Sequence, residues 1–449
     1  GTIIDMKFFL NILDKLMINR HFVWISTTLF IISLLISFLL KINLSNILGT
    51  FTYSPLWLDY GIQTKTGGVV SDLATHWNYI ILLKKDLSNL FTLTLGENVN
   101  LINFPLHHLI FSQFNFIHSL NAYLISVLII SLLLPLILYF LLKERFGNLD
   151  KSKILTLSSL ILILPVFQYS AIWGNNHNTA LIFFSLGIFY FNSFIKTNYK
   201  KTTRLIFSII FLSLACYTKQ FYAFFFIFLL TYLINKISLK RFVFISIFIT
   251  LCAIPGVYYV ILNPLLLFGL RQTTTNLNSS VLVSASMILF YLVPFIIQTI
   301  INNYDNYKFN LSYFFNKKIF IISIITSLLC SLNFIYNGNI GGGVILKISF
   351  FLFNNPYLVI PISFFGIYFL LYFSQNTLSN YVLVVLLLIT FSSGFFIFQK
   401  YFEPMFYIIF LNYFDKYKIL HSIKKSNYII FFYFIIYYVA SNYMYFLGL

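Results

Sequence analysis

The sequence predicts an all-α fold: a polytopic transmembrane helix bundle of about 13 spans, forming one domain over residues 1–449. Three observations predict it. The chain is 59% hydrophobic and only 9% charged, too apolar to hide its surface as a water-soluble core. Runs of mostly uncharged Leu, Ile and Phe residues alternate with short loops. Every second loop is basic, which gives an orientation with the N-terminus on the cytoplasmic side.

The elements follow in order. The first span, 22–41, comes after Lys7, Lys15 and Arg20 and reads as a signal anchor; Gly1–Asp5 precede Met6 and are set aside. A long outer loop, 42–120, is only moderately polar and carries Phe, Trp, Leu and Ile throughout, so juxtamembrane helices lying on the bilayer are expected there. Spans 121–142 and 153–169 flank an inner loop with Lys143, Arg145, Lys151 and Lys153, and spans 179–195 and 205–217 flank another with Lys196, Lys200, Lys201 and Arg204. Span 221–235 is followed by Lys236, Lys240 and Arg241, then by spans 242–262 and 281–302. Lys308, Lys317 and Lys318 precede span 319–336, and spans 356–373, 381–398 and 404–414 lead to Lys416, Lys418, Lys424 and Lys425 before the last span, 428–446.

The stretch from Arg204 to Lys236 tests this drawing, because Thr218, Lys219 and Gln220 interrupt it. Read as one span, it would put all later basic loops outside. Two short helices meeting at the outer surface keep the orientation intact. Such helices cross a ~30 Å core only where the bilayer thins or a cavity enters from one side, so a polar cavity open to the outside is expected here. No internal repeat or inverted pair of broken helices stands out, which argues against a transporter.

The net charge of +18 would suggest nucleic acid in a soluble protein, but these basic residues sit at span ends as cytoplasmic retention signals, so no nucleic-acid partner is expected. Cys216, Cys252 and Cys330 lie in or beside apolar spans at unrelated spacings and read as small buried residues.

On this drawing the polar clusters gather outside. Of the 11 carboxylates, only Asp59, Asp72, Asp86, Glu97 and Glu403 face outward. Asp72 lies in Ser71-Asp72-Leu73-Ala74-Thr75-His76-Trp77, where Ser71 can cap a helix and Asp72 sits at the positive end of its dipole; on spacing alone, Asp72 also reads as an ordinary helix-start residue. Trp173-Gly174-Asn175-Asn176-His177-Asn178 is a dense set of neutral donors and acceptors, or simply a polar turn. Asn339-Ile340-Gly341-Gly342-Gly343, followed by Lys347, offers backbone that can approach a ligand beside a cation, and Arg271-Gln272-Thr273 and Lys219-Gln220 add cations and amides. A lipid-held donor with a phosphate leaving group needs cations at headgroup depth, here Lys219, Arg271, Lys347 and Lys400. It also needs a carboxylate to take the acceptor's proton, here Asp72. There is no DxD pair and no HExxH, so neither a metal site nor a cofactor is indicated.

With these residues in place, the chain resembles integral-membrane glycosyltransferases of the GT-C type, which use polyprenyl-phosphate-linked sugars. The resemblance rests on the architecture over nearly the whole chain. Asp72 matches the position of the family's acidic base, Asn103-Phe104-Pro105-Leu106-His107 looks like its "YPPL"-type stretch, and Lys400-Tyr401-Phe402-Glu403-Pro404 is similar to an R-Y-x-x-P turn with Lys replacing Arg. The chain departs from the family in lacking a second acidic residue near Asp72 or in the next outer loop, which offers His177 and asparagines instead. The resemblance implies Asp72 as base, Lys400 as phosphate contact and Glu403 as a structural or acceptor-binding partner. His76, Trp77, Asn176, His177 and Gln220 are the other expected substrate contacts; interfacial anchoring is the blander role for Trp77, and His107 and His108 read equally as interfacial residues or ligands. The expected partners are a polyprenyl-phosphate-linked sugar donor, a lipid, glycan or protein acceptor, and membrane lipids, in a bacterial plasma membrane with the active site on the outer face. A polysaccharide polymerase or ligase, or a lipid-linked oligosaccharide flippase, is the alternative. The former would carry an Arg-rich late outer loop, and the latter charges midway along its spans.

Overall fold

A computed structural model describes residues 19–48, 69–92, 104–262, 276–304, 314–336, 341–392, 397–424 and 427–447. The expectations placed on Asp59, Glu97, Asn103, Arg271, Asn339 and Ile340 lie outside the described residues. Among the described residues the regular structure is helical throughout, as the composition requires: in a lipid environment an α-helix satisfies every backbone polar group within itself.

The first helix, α1 (Asn19–Leu48), is followed in the long loop by α2 (Val69–Lys85) and α3 (Leu106–Gln113), so helices do form where the sequence led us to expect them. Helix α2 begins at Val69 and not after Ser71, so Ser71 lies inside the helix and is not its cap, while Asp72 keeps its place in the first turn. Next comes α4 (Leu120–Arg145). The expected span at 153–169 is a bent pair, α5 (Lys151–Ser159), prolonged by a 3-10 turn to Ile163, and α6 (Pro165–Trp173), with a bend of 60°. Pro165 causes the break: its ring bars the preceding residue from helical geometry, and Leu164 is extended at φ −71°, ψ 124°.

Helices α7 (His177–Lys196) and α8 (Thr202–Cys216) pack along each other, with Ser208 Oγ donating to the Gly187 carbonyl at 2.8 Å. The Thr218-Lys219-Gln220 interruption separates α8 from α9 (Gln220–Leu233), as two short helices. Then follow α10 (Leu239–Leu262), α11 (Leu277–Tyr304), α12 (Lys317–Ser331) and a helix the sequence reading missed, α13 (Gly343–Phe353). The chain closes with α14 (Val359–Phe373), α15 (Leu378–Ile389), α16 (Met405–Tyr413), the short amphipathic α17 (Lys416–Ile423) and α18 (Tyr428–Leu447).

Every stretch expected to span a membrane thus contains helix. Among the described residues four helices are long and apolar enough to cross alone, Leu120–Arg145, His177–Lys196, Leu239–Leu262 and Leu277–Asn302, and the bent pair makes a fifth if it is one span. The other apolar helices are shorter, so the count of about 13 crossings rests on charge pattern and not on length.

Helix α11 is the central pillar: 83% of its apolar window is buried, and α12 to α18 surround it, whereas α10 is peripheral at 17% and exposes Val243, Phe244, Ile247, Leu251 and Ile254. Only a bilayer or a partner would cover such a face. At the crossing of α14 and α11, a Cβ at Gly366 would fall 2.2 Å from the Ala285 carbonyl oxygen, so glycine alone permits this approach. The chain ends meet through Phe22 of α1, which stacks on Phe431 of α18 at 4.3 Å.

Candidate active site

The site begins on α2. Its buried side chains Leu73, His76, Ile80 and Leu83 recur at three- and four-residue steps, an amphipathic stripe that seats the helix on α3 and α6. Lys84 holds the far end, donating to the carbonyls of Phe114 at 3.1 Å and Ile117 at 2.7 Å. Asp86 is exposed and accepts from the Ser88 amide at 2.8 Å, a local turn outside the site. The stripe leaves Asp72, one turn before His76, at the edge of the packed face, half-buried.

Three groups converge on the Asp72 carboxylate. Tyr169 of α6 donates its hydroxyl to Oδ2, Asn175 Nδ2 lies at 3.5 Å from the same oxygen and also donates to the Tyr169 hydroxyl at 3.0 Å, and Lys400 Nζ forms an ion pair with it at 3.7 Å. Lys400 also sits 5.7 Å from the centre of the Tyr169 ring and 5.2 Å from that of Phe398. Two oxygens with several lone pairs accept these donors without being used up, so one face of the carboxylate can still take a proton.

Lys219, at the break between α8 and α9, is 5% exposed, and its ammonium makes no hydrogen bond or ion pair among the described residues. Burial, and then the Lys400 charge, push its ammonium down to about 7, with Asp72 opposing. A nearly buried cation without a counter-ion is costly, and it places positive charge within electrostatic reach of Asp72 and Lys400. The polar turn after α6 is stitched to this break, because Asn176 Nδ2 donates to the Thr218 carbonyl at 3.5 Å. The N-terminus of α3 joins it as well, with the Leu106 amide donating to the Tyr217 carbonyl at 3.0 Å. Asn176 Oδ1 and His177 Nε2 are enclosed and unpartnered among the described residues.

Three histidines stand behind Asp72. His76 Nδ1 and His108 Nε2 share a hydrogen bond of 2.8 Å, while His107 bonds Thr179 at 2.9 Å and the Tyr123 hydroxyl at 2.8 Å; that hydroxyl passes its proton to the Gly174 carbonyl. Burial, reinforced by the neighbouring imidazoles and by Lys219, holds all three well below the usual histidine range, so they are neutral at pH 7. They form a rigid, uncharged wall that fixes α2 and α3 against the polar turn.

Sequence-predicted residues therefore divide into two groups. Asp72, His76, Asn176, His177, Lys219, Gln220 and Lys400 are brought to one locality. Arg271 lies outside the described residues, and Lys347 is exposed on α13 with no bond to the cluster. Trp77 packs on Tyr123 with ring centres 5.8 Å apart, on the apolar side of α2. Glu403, expected as a structural or acceptor-binding residue, is 1% exposed: Oε1 accepts from the Val166 amide at 2.9 Å, and Oε2 from the hydroxyls of Tyr291 at 2.7 Å and Tyr437 at 2.8 Å. That enclosure makes it a tie between α6, α11 and α18, one turn behind Lys400. The glycine turn has a related task. Gly342 donates to the Ile397 carbonyl at 2.7 Å and Val344 to Gln399 Oε1 at 2.8 Å, and a Cβ on Gly343, at φ +72°, would strike that same Oε1 at 2.8 Å. The turn thus braces the segment that carries Lys400.

Sequence reasoning missed Tyr169 and Asn175 as partners of Asp72, and it left His107 and His108 undecided. Asn175 stood in the polar turn, but nothing in the sequence distinguished Tyr169 from the chain's other 31 tyrosines. Comparison with known proteins finds no matching family model, no matching characterised protein and no matching solved structure.

Proposed function

We propose that the chain is a membrane glycosyltransferase that moves a sugar from a polyprenyl-phosphate or polyprenyl-pyrophosphate donor to an acceptor hydroxyl on the non-cytoplasmic face. The observation that carries this reading is the convergence of Asp72, Lys400 and Lys219, from three distant parts of the chain, into one carboxylate flanked by two cations. In the step, the acceptor oxygen bonds to the anomeric carbon as the carbon–phosphate-oxygen bond breaks. The acceptor's proton goes to Asp72, and the leaving phosphate takes the electron pair beside Lys400 and Lys219. Tyr169 and Asn175 orient the carboxylate, and Lys400 lies beside it as a cation. Asn176 Oδ1 and His177 Nε2 serve sugar hydroxyls.

The resemblance to GT-C type enzymes, an inverting course in which Asp72 assists direct displacement, and a bacterial plasma-membrane setting belong to the same proposal. The test is transfer of radiolabelled sugar from polyprenyl-phosphate donors in membranes, comparing wild type with Asp72→Asn at matched expression. Loss of transfer with donor binding retained supports the reading. Undiminished transfer reduces Asp72 to a helix-start residue, and no transfer by the wild type with any donor turns attention to polymerase or flippase activity.

A further inference from the structure

A second polar site lies at the opposite end of the bundle. Helix α7 reaches the Asp72 locality with His177 and ends at Lys196, ~28 Å away at about 1.5 Å per residue. There the ends of α4, α7 and α16, the side of α9 and the start of α15 enclose a cavity of about 300 Å³. That volume is at the lower end of small-molecule sites.

Its lining is unusual in what it leaves unused. Among the described residues the enclosed atoms Arg145 Nε, Tyr413 OH, Asn380 Oδ1 and Glu144 Oε2 have no hydrogen-bond partner, and all four residues line this one cavity. Their other atoms are committed. Arg145 donates a terminal nitrogen to the Phe414 carbonyl, Asn380 Nδ2 donates to Thr377 Oγ1 at 3.0 Å, and Glu144 Oε1 lies 3.7 Å from Lys196 Nζ. On these three side chains the free atom is therefore fixed in direction by contacts made elsewhere on the same side chain, while Tyr413 is held by its ring packing on Phe225 and Phe228. Leaving four buried polar atoms unmet is costly, a cost that a bound ligand would remove.

The four atoms define complementary chemistry. Arg145 Nε and the Tyr413 hydroxyl are donors with a positive charge between them, suited to an anionic oxygen. Asn380 Oδ1 and Glu144 Oε2 are acceptors, suited to hydroxyl groups. Two cations, Arg145 and Lys196, outweigh the one carboxylate, and Phe228 and Ile195 supply apolar wall for a carbon skeleton.

We propose that this cavity binds a phosphorylated polyol, its phosphate on Arg145 and Tyr413 and its hydroxyls on Asn380 and Glu144. A free glycerophosphate and the glycerophosphate headgroup of an anionic lipid share this chemistry. That the site faces the cytoplasm rests on the orientation proposed above; its existence does not.

Two variants test it on the full chain. Tyr413→Phe removes only an unpartnered hydroxyl and breaks no bond within the protein, so folding persists. Asn380→Asp keeps the shape and places a negative charge against the ligand. In detergent, sn-glycerol 3-phosphate is titrated by calorimetry. In nanodiscs of phosphatidylcholine with and without phosphatidylglycerol, co-purifying lipid is read by native mass spectrometry. The expected result is wild-type binding of at least one probe, weakened about tenfold or more in each variant. Binding of the free phosphate alone identifies a soluble metabolite, and selective retention of phosphatidylglycerol alone identifies a lipid. Failure of the wild type to bind either probe, or binding by both variants equal to wild type, overturns the proposal. Because the readout is binding, the result is independent of sugar transfer at the Asp72 site.

Discussion

At the scale of single residues, the site is governed by two charges held in unequal surroundings. Asp72 is half-buried and met by Tyr169, Asn175 and Lys400; Lys219 is nearly buried and unpaired. If Asp72 is the base, Asp72→Asn lowers transfer by roughly 10²–10⁴-fold, as measured in initial-rate assays. Tyr169→Phe keeps the carboxylate but frees its orientation, and the expected result is a smaller loss of kcat with little change in KM for donor. For Lys219 the sign follows from its lowered titration point. Below about pH 7 it is charged and attracts the donor phosphate; above it the neutral amine does not, so donor affinity falls as pH rises through that point. Lys219→Met abolishes this pH dependence in donor-binding titrations. It also raises the melting temperature, because the buried cation had no counter-ion to lose. An unchanged pH profile in Lys219→Met removes the residue from the phosphate site.

Among the elements, shorter helices carry Asp72 and Tyr169 of the candidate site, and long ones form the frame. Glu403 couples the two, since its carboxylate ties the first turn of α6, which bears Tyr169, to Tyr291 of α11 and Tyr437 of α18. Glu403→Ala orphans three buried donors at about 1–3 kcal/mol each, and a large fall in thermal stability, read by tryptophan fluorescence in detergent, is the expected outcome. The crossing of α11 and α14 gives a separate check. Gly366→Val drives a side chain into the Ala285 backbone, which cannot swing aside as a flexible side chain would, and overpacking of this kind costs about 1–3 kcal/mol or more. A variant as stable as wild type, judged by the same melting curve, would show that the two helices separate without loss.

Over the whole molecule, the proposed orientation puts the α2 end of the bundle outside and the α7–α8 turn inside. In a background with Cys216, Cys252 and Cys330 replaced by alanine, a cysteine at exposed Ser88 should react with a membrane-impermeant maleimide in intact cells, and one at exposed Lys200 should react only after permeabilisation. The reverse pattern inverts the drawing and moves the Asp72 site to the cytoplasmic face. The apolar face of α10 fits either orientation, because a bilayer would surround the bundle on all sides.

What the sequence alone determined is what depends on local composition. Helical class, the positions of the apolar helices, the break at Thr218-Lys219-Gln220 and the importance of the polar turn at 173–178 were legible because hydropathy, charge and turn residues act over a few neighbours. Pro165 also stood in plain view, yet its 60° bend was hidden by the apolar residues on both sides. Tertiary structure decided the partnerships. Tyr169 and Lys400 meet Asp72 only because α6 and the segment before α16 are packed against α2. Glu403, expected as a structural or acceptor-binding residue, ties three helices together because they close over it. The cavity at Arg145 exists because five helix segments bring residues with unpartnered polar atoms around one space. Such contacts join residues far apart in the chain through packing that depends on the whole fold, and a one-dimensional pattern carries no term for it.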